Sequence, residues 1–267
     1  MPDTRFKNIG QPESAYSALQ VSVWLRRLRL PTNYQQYVDN PLEFPKTIEA
    51  LGALFRCQIS TFPYDNLTVH YSNAHLVNIK PDVLYHKMME STESRGRGGY
   101  CMELSIFFHH MIRGLGFNVI MTGVRNRTRT NGIPGGEFQG WYSSLHRQRV
   151  SFWKLTRDMK QHRTHITNIV YLPNGTKYSA DVAFGGDGPT APLLMTDDVE
   201  AAVHDNLGTQ QIRLIHDTIP KQKLNEPRLW IFQYRNGPDK EWNAFYSFSE
   251  LDAHTTPVDN ACRPLPA

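Results

Sequence analysis

The chain has 267 residues, 40% of them hydrophobic, 20% charged and 11% aromatic, with a formal net charge of +4. That length supports one to three compact units, and the aromatic content excludes a disordered chain. No apolar run reaches the ~18 residues of a membrane span, the opening MPDTRFKNIG lacks a signal peptide's apolar core, and the mild basicity is not gathered into a dense nucleic-acid patch.

In chain order, segments 13–30, 46–57 and 81–92 carry apolar residues at three- and four-residue spacing, broken by Pro31, Pro45, Pro63 and Pro81. That pattern predicts helices. From Cys101 a broad apolar face (Leu104, Phe107, Phe108, Met111, Ile112, Leu115) predicts a largely buried helix that stops at Gly114 and Gly116. From about residue 117 the period changes. FNVIMTGVRNRT, THITNIVYLPNGTKYSADVAF, IRLIHDTI and RLWIFQYR are rich in β-branched and aromatic residues and read as strands. NGIPGGEFQG, residues 131–140, reads as a loop by composition. The order of helices then strands predicts an α+β chain with two or more subdomains.

Arg125, Arg127 and Arg129 alternate along one expected strand and so fall on one face. They read as a solvated face or as an anion site for a phosphate-bearing ligand. The three cysteines, Cys57, Cys101 and Cys262, have no paired spacing and no CxxC. This usage predicts a reducing, cytoplasmic setting with no disulfide framework.

Cys101 stands where the glycine-rich loop Arg97-Gly98-Gly99-Tyr100 becomes a helix. Unpaired N–H groups and the helix dipole there favour an anion, which raises a thiol's thiolate fraction and can hold an oxyanion. The position suits a nucleophile; a buried packing cysteine is the other reading. Cys57 is expected to pack and Cys262 to be incidental.

A thiolate needs a base, and the base an orienting group. His165 and Asp181 lie near the two ends of an expected β-hairpin, with His162 and His146 as competitors for the base. Both are odd-numbered, so they share a face only if the loop holds an odd number of residues. Pro173 opposes a two-residue Asn174-Gly175 turn, because it would close the hairpin without an N–H. A Pro173-Asn174 turn with a left-handed Gly175 pairs Leu172 with Thr176, puts His165 opposite Ala183 and makes Asp181 its diagonal neighbour. No His, Cys and carboxylate set has metal-ligand spacing, so no metal is expected.

These residues resemble the arylamine N-acetyltransferases. Arg97-Gly98-Gly99-Tyr100-Cys101 matches that family's Arg-Gly-Gly-aromatic-Cys, and Asp181-Val182-Ala183-Phe184-Gly185 its Asp-Val-Gly-Phe-Gly. Phe62-Pro63-Tyr64-Asp65-Asn66-Leu67 matches its Ile-Pro-Phe-Glu-Asn-Leu, and the likeness covers about residues 15–250. The resemblance implies a Cys101–His165–Asp181 triad on a papain-like cysteine-enzyme core. It implies a helical domain over 1–116, a β-barrel over 117–227 and a C-terminal α/β lid over 228–267. It further implies an acyl-coenzyme A cosubstrate, acetyl or malonyl, near Gly185, Gly186, Gly188, Pro189 and Thr190. A supporting polar network of Arg97, Asp65 and Asn66 beneath the site is implied as well. Phe62, Tyr64 and Tyr100 are expected to wall a pocket for a small aromatic amine. Neither nucleic acid nor membrane is an expected partner.

The chain departs from the family pattern at Ala183, where glycine is usual, and at Met102. Its interval from cysteine to histidine is longer, with 131–150 as the expected insertion. Its C-terminus is short, so the lid is expected to be incomplete. A thiol hydrolase or transglutaminase-like enzyme on the same triad, or a catalytically silent binding protein, are the other readings.

Overall fold

The computed structural model describes residues 14–71, 73, 77–90, 97–139, 165–222 and 227–250. Cys262, His146, His162 and the 140–150 part of the expected insertion lie outside the described residues.

The helices fall where the apolar spacing puts them. Helix α1 spans Ala18–Leu28, and Ser17 opens it with a capping box: its backbone N–H donates to Gln20 Oε1 (3.0 Å) and its Oγ accepts from Gln20 N–H (3.3 Å). Left-handed Arg29, two residues before Pro31, ends it. Helix α2 spans Ile48–Thr61 behind a Thr47 cap. Helices α3 (Leu67–Tyr71) and α4 (Pro81–Tyr85) are short, and α4 runs into a single π-helical turn over His86–Glu90. Helix α5 covers Cys101–Gly114, and Gly116 leaves it at φ +89°.

The strands are β1 Asn118–Thr130, β2 Ile133–Gln139, β3 His165–Tyr171, β4 Lys177–Ala180, β5 Leu193–Leu194, β6 His204–Asp205, β7 Gln210–Asp217, β8 Leu229–Asn236 and β9 Asn243–Phe248. They form one antiparallel sheet in the order β5-β4-β3-β1-β9-β8-β7-β6, with β2 paired to β1. Leu193 and Met195 from one end of that order pack in the same core as Ile212 and Leu214 from the other, so the sheet curls into a nearly closed barrel.

Two expectations need correcting. Residues 133–139 form strand β2, not a loop. Asn131 and Gly132 both have positive φ (52° and 82°) and turn β1 directly back on itself, with Thr130 opposite Ile133. An Asn-Gly pair is a strong two-residue hairpin signal, which the Gly-Pro-Gly composition behind it obscures. The expected barrel-to-lid boundary at 227/228 runs through the sheet. Strands β7 and β8, on either side of it, pair from Gln210↔Asn236 to Asp217↔Leu229, and β9 lies between β8 and β1.

The barrel docks on the helices through one continuous apolar core. Trp24, Leu54, Phe55, Phe107, Phe108 and Met111 of the helices meet Val119, Met121, Ile166 and Val170 of the sheet. A polar clamp is set into this apolar joint. Ser105 Oγ donates to the Ile166 carbonyl (3.1 Å), Asn168 Nδ2 donates to the Ser105 carbonyl (3.2 Å), and His109 Nδ1 meets Asn168 Oδ1 (3.0 Å). All three side chains are buried, so each bond removes an otherwise unsatisfied polar group and fixes the register of α5 on β3.

The clamp carries a pH dependence. Burial lowers His109 from 6.5 to about 3, with the neighbouring charges of His110 and Arg113 acting the same way; burial, then Arg113, lowers His110 to about 4. The native chain keeps both neutral while the unfolded chain protonates them near 6.5, so their share of stability is present above that pH and lost as pH falls towards 4. The melting temperature is expected to drop between about pH 7 and pH 4.5, and to drop less in His110→Gln. An equal slope in the two proteins, followed by scanning calorimetry, would show that the acid sensitivity arises elsewhere.

Candidate active site

The loop before Cys101 is shaped by backbone contact. Gly99 N–H donates to the Pro63 carbonyl (3.1 Å) and Asp65 N–H to the Gly99 carbonyl (3.0 Å), forming a short parallel bridge between Tyr64 and Gly99. The two sequence motifs around Pro63 and Gly98 are therefore one structural unit. A Cβ on Gly98 would lie 1.8 Å from the Pro63 carbonyl oxygen, so only glycine fits.

Beneath the loop lies an ion pair that the sequence does not announce. Glu103 is buried; its two carboxylate oxygens accept from Lys87 Nζ (2.8 and 2.9 Å), and Oε2 also accepts the Tyr100 N–H (2.9 Å). The expected network is not formed here: Arg97 is exposed and makes no ion pair with Asp65, whose Oδ1 accepts the Leu67 N–H instead. The Lys87–Glu103 pair holds the first turn of α5, and Cys101 with it.

Cys101, His165 and Asp181 are brought together in the buried joint between α5 and the sheet. The hairpin turn is the one its chemistry requires: Gly175 N–H donates to the Leu172 carbonyl and Leu172 N–H to the Thr176 carbonyl, each at 2.9 Å, with Gly175 at φ +87°. The register it sets (Val170↔Tyr178, Asn168↔Ala180) places His165 and Asp181 on one face, with His165 Nε2 2.7 Å from Asp181 Oδ2. Cys101 hydrogen-bonds the same imidazole. Because Nε2 is engaged by the carboxylate, Nδ1 is the nitrogen that faces the sulfur.

Asp181 is held at both oxygens. Tyr246 Oη donates to Oδ2 (2.8 Å) and the Ala183 N–H donates to Oδ1 (3.1 Å). Tyr246 lies on β9, and nothing in the sequence pairs it with the hairpin; the signal is only an aromatic on a buried strand. Its phenol is pushed well above 10 by burial and by the Asp181 charge, so it remains a donor. Burial alone would lower His165, but the Asp181 carboxylate and then the Cys101 sulfur outweigh it and raise the imidazole from 6.5 to about 10. The site therefore keeps an imidazolium beside the sulfur at neutral pH.

The expected wall residues separate. Phe62 is buried and packs edge-on against Phe107 (5.3 Å between centroids), so it belongs to the helical core. Tyr64 is exposed and Tyr100 half-buried, their rings 6.0 Å apart beside Cys101. Among the described rings the one nearest the imidazole is Phe184, part of the Asp181–Gly185 motif but not one of the expected wall residues, at 5.2 Å from His165 and 4.9 Å from Tyr246.

The loop after the hairpin is partly committed to its own structure. Gly188 N–H bonds the Gly185 carbonyl (2.9 Å), Thr190 N–H bonds Asn206 Oδ1 (3.0 Å), and Pro189 has no N–H. The backbone donors this loop can turn to an anion are thus at its start, where Gly185 (φ +82°) and Gly186 have open space around them. No group of three or more His, Cys, Asp or Glu side chains among the described residues could hold a metal ion.

A family model described as N-acetyltransferase matches residues 47–133, the segment holding the Pro63 and Cys101 motifs. The chain is 23% identical over 257 residues to N-malonyltransferase FDB2 of Gibberella moniliformis, covering 89% of this chain and 66% of that one. It is 26% identical over 208 residues to the arylamine N-acetyltransferase / N-hydroxyarylamine O-acetyltransferase of Salmonella typhimurium, covering 78% and 57%. The chain thus spans just under two thirds of these relatives' length or less. Among solved structures it is similar to the arylamine N-acetyltransferase of Mycobacterium abscessus, with a TM-score of 0.59, 17% identity, and 90% of this chain and 68% of that chain covered. It is also similar to the Mycobacterium marinum arylamine N-acetyltransferase in complex with CoA, with a TM-score of 0.54, 21% identity and 87% and 66% covered. The matched segment and the relatives thus liken this chain to N-acetyltransferases and N-malonyltransferases, and the solved structures show that it shares their fold.

Proposed function

We propose that the chain transfers an acyl group from acyl-coenzyme A to an arylamine or hydrazine through a thioester on Cys101. The observation that carries this reading is the buried His165, bonded at once to Asp181 and to Cys101. The Cys101 thiolate attacks the donor's thioester carbonyl, and the N–H groups at the start of α5 offer the oxyanion its donors. As the carbonyl re-forms, the bond to the coenzyme sulfur breaks and His165 gives that sulfur its proton. The amine then attacks the acyl-cysteine, neutral His165 takes the amine proton, and the Cys101–carbonyl bond breaks to restore the thiolate–imidazolium pair.

Acetyl and malonyl groups are both donor candidates, as the relatives' names include an acetyltransferase and a malonyltransferase. The coenzyme fits the start of the loop at Gly185 and Gly186, and Tyr64 with Tyr100 is the aromatic surface for the amine. A thiol at the reaction centre that forms no disulfide suits a reducing cytosol. No helix among the described residues is long and apolar enough to cross a membrane.

Intact-mass measurement after incubation with acetyl- or malonyl-coenzyme A tests the reading. One acyl group is expected on the protein, absent in Cys101→Ala and discharged by an aromatic amine. A folded protein that takes neither acyl group would overturn it, and release of free acid without amine would identify a hydrolase.

A further inference from the structure

The three alternating arginines of β1 do not share one environment. Arg125 Nη2 donates to the Phe138 carbonyl (3.0 Å). Arg127 donates to the Gly136 carbonyl (2.9 Å) and to Asn243 Oδ1 (2.6 Å), and its guanidinium lies over Phe138. Both are spent on tying β1 to β2 and β9. The register of β1 on β2 shifts between Arg127 and Arg129, a local irregularity that re-aims the side chain beyond it. Arg129 accordingly faces the other way. Its guanidinium lies 6.0 Å from the Phe184 ring and 5.5 Å from the Phe245 ring, and its Nη1 is 2.7 Å from Asp187 Oδ2.

Phe184 packs edge-on against His165 at 5.2 Å, with Tyr246 at 5.8 Å. Arg129 is therefore a cation one aromatic ring away from the imidazole, its charge lying over apolar surface, where a charge interaction counts for more than in open water. Its side chain is 40% exposed, so a ligand can reach it. A guanidinium has five N–H donors in a fork that matches a carboxylate, and Asp187, itself 39% exposed, already shows that a carboxylate docks there.

From this geometry, and resting on the acyl-transfer reading above, we infer that Arg129 selects donors whose acyl group ends in a free carboxylate, with Asp187 occupying the guanidinium until such a donor arrives. A coenzyme phosphate is the other anion a donor could offer. The pantetheine arm holds the phosphates far from the thioester, whereas the tail of a short dicarboxylic acyl group stays beside the reacting carbonyl. A cation adjoining the imidazole's own aromatic neighbour is placed for the acyl tail. The ion pair with Asp187 also gives discrimination in the other direction. An acetyl donor gains nothing from displacing that carboxylate, and a malonyl donor replaces it like for like.

The test compares acylation rates of Cys101 in the whole protein with acetyl-coenzyme A and malonyl-coenzyme A, read by intact mass, for wild type, Arg129→Met and Asp187→Asn. Loss of one charge-assisted pair corresponds to roughly tenfold to a hundredfold. Arg129→Met is expected to lose that much with the malonyl donor and less than about threefold with the acetyl donor. Asp187→Asn, which removes the competing carboxylate, is expected to raise the malonyl-to-acetyl ratio. Acetyl- and malonyl-pantetheine, which lack the nucleotide phosphates, should show the same selective loss. Equal losses with both coenzyme A donors that vanish with the pantetheine donors would overturn the inference and assign Arg129 to the phosphates. Unchanged rates in Arg129→Met, with its fold checked by circular dichroism, would overturn it outright. A wild-type protein that accepts neither donor would instead remove the acyl-transfer reading on which it stands.

Discussion

Replacing Asp181 with Asn is expected to slow acylation of Cys101 by about a thousandfold or more, with little change in the folded structure. The carboxylate does two things at His165. It accepts the Nε2 proton at 2.7 Å, which leaves Nδ1 facing the sulfur, and its charge is the largest influence raising the imidazole to about 10 against burial. An Asn side chain keeps one oxygen, which the Ala183 N–H holds at the Oδ1 position, so its amide NH2 takes the Oδ2 position facing His165 and the Tyr246 hydroxyl. Nε2 must then accept, Nδ1 carries the proton of the neutral ring, and the nitrogen facing Cys101 can no longer take one.

The sign of the pH effect follows from the same contacts. In the wild type the imidazolium is lost only as pH rises through about 10; without the Asp181 charge, burial dominates and that loss moves down toward or below neutrality. Alkylation of Cys101 by iodoacetamide across pH 6–10 reads both changes. Tyr246→Phe removes one donor from Asp181 and leaves its charge, so a loss of about tenfold is expected. An Asp181→Asn protein that is acylated at the wild-type rate would show that the hairpin carboxylate plays no part in activating the sulfur.

Gly98→Ala is expected to destabilise the chain by about 3 kcal/mol or more. The added methyl carbon would stand 1.8 Å from the Pro63 carbonyl oxygen and 2.8 Å from its carbon, and both are backbone atoms that no rotamer change can move. Relief requires separating the Tyr64–Gly99 bridge, which carries Tyr100 and the start of α5 with it. Gly186→Ala is the matched control. A Cβ there meets no heavy atom within 4 Å and φ is not positive, so the change is expected within about 0.5 kcal/mol. Urea unfolding of the two variants reads the contrast, and equal midpoints would show that the loop yields without cost.

The legible part of this protein is the part whose geometry is local. The hairpin parity of His165 and Asp181 follows from Pro173 and Gly175 alone, and the observed register agrees with it residue for residue. Helix α5 and its opening cysteine follow from apolar spacing and a glycine pair. What stayed hidden depends on chain segments far apart in sequence. Tyr246 reaches Asp181 only because β9 is inserted between β1 and β8. Lys87 finds Glu103 across the π turn that ends α4. The 227/228 boundary comes from the family resemblance, and the pairing of β7 with β8 crosses it because a sheet's hydrogen bonds ignore chain order.

The central position of β9 bears on how the protein is made. Its pairing of Val124 with Phe248 joins strands from opposite ends of the barrel's sequence. During synthesis the helices, Cys101 and both hairpin partners leave the ribosome well before Tyr246 does. The nascent barrel must wait with a gap between β1 and β8, exposing two unpaired edges. Tyr246 thus reaches Asp181 last, when nearly all of the described chain has emerged.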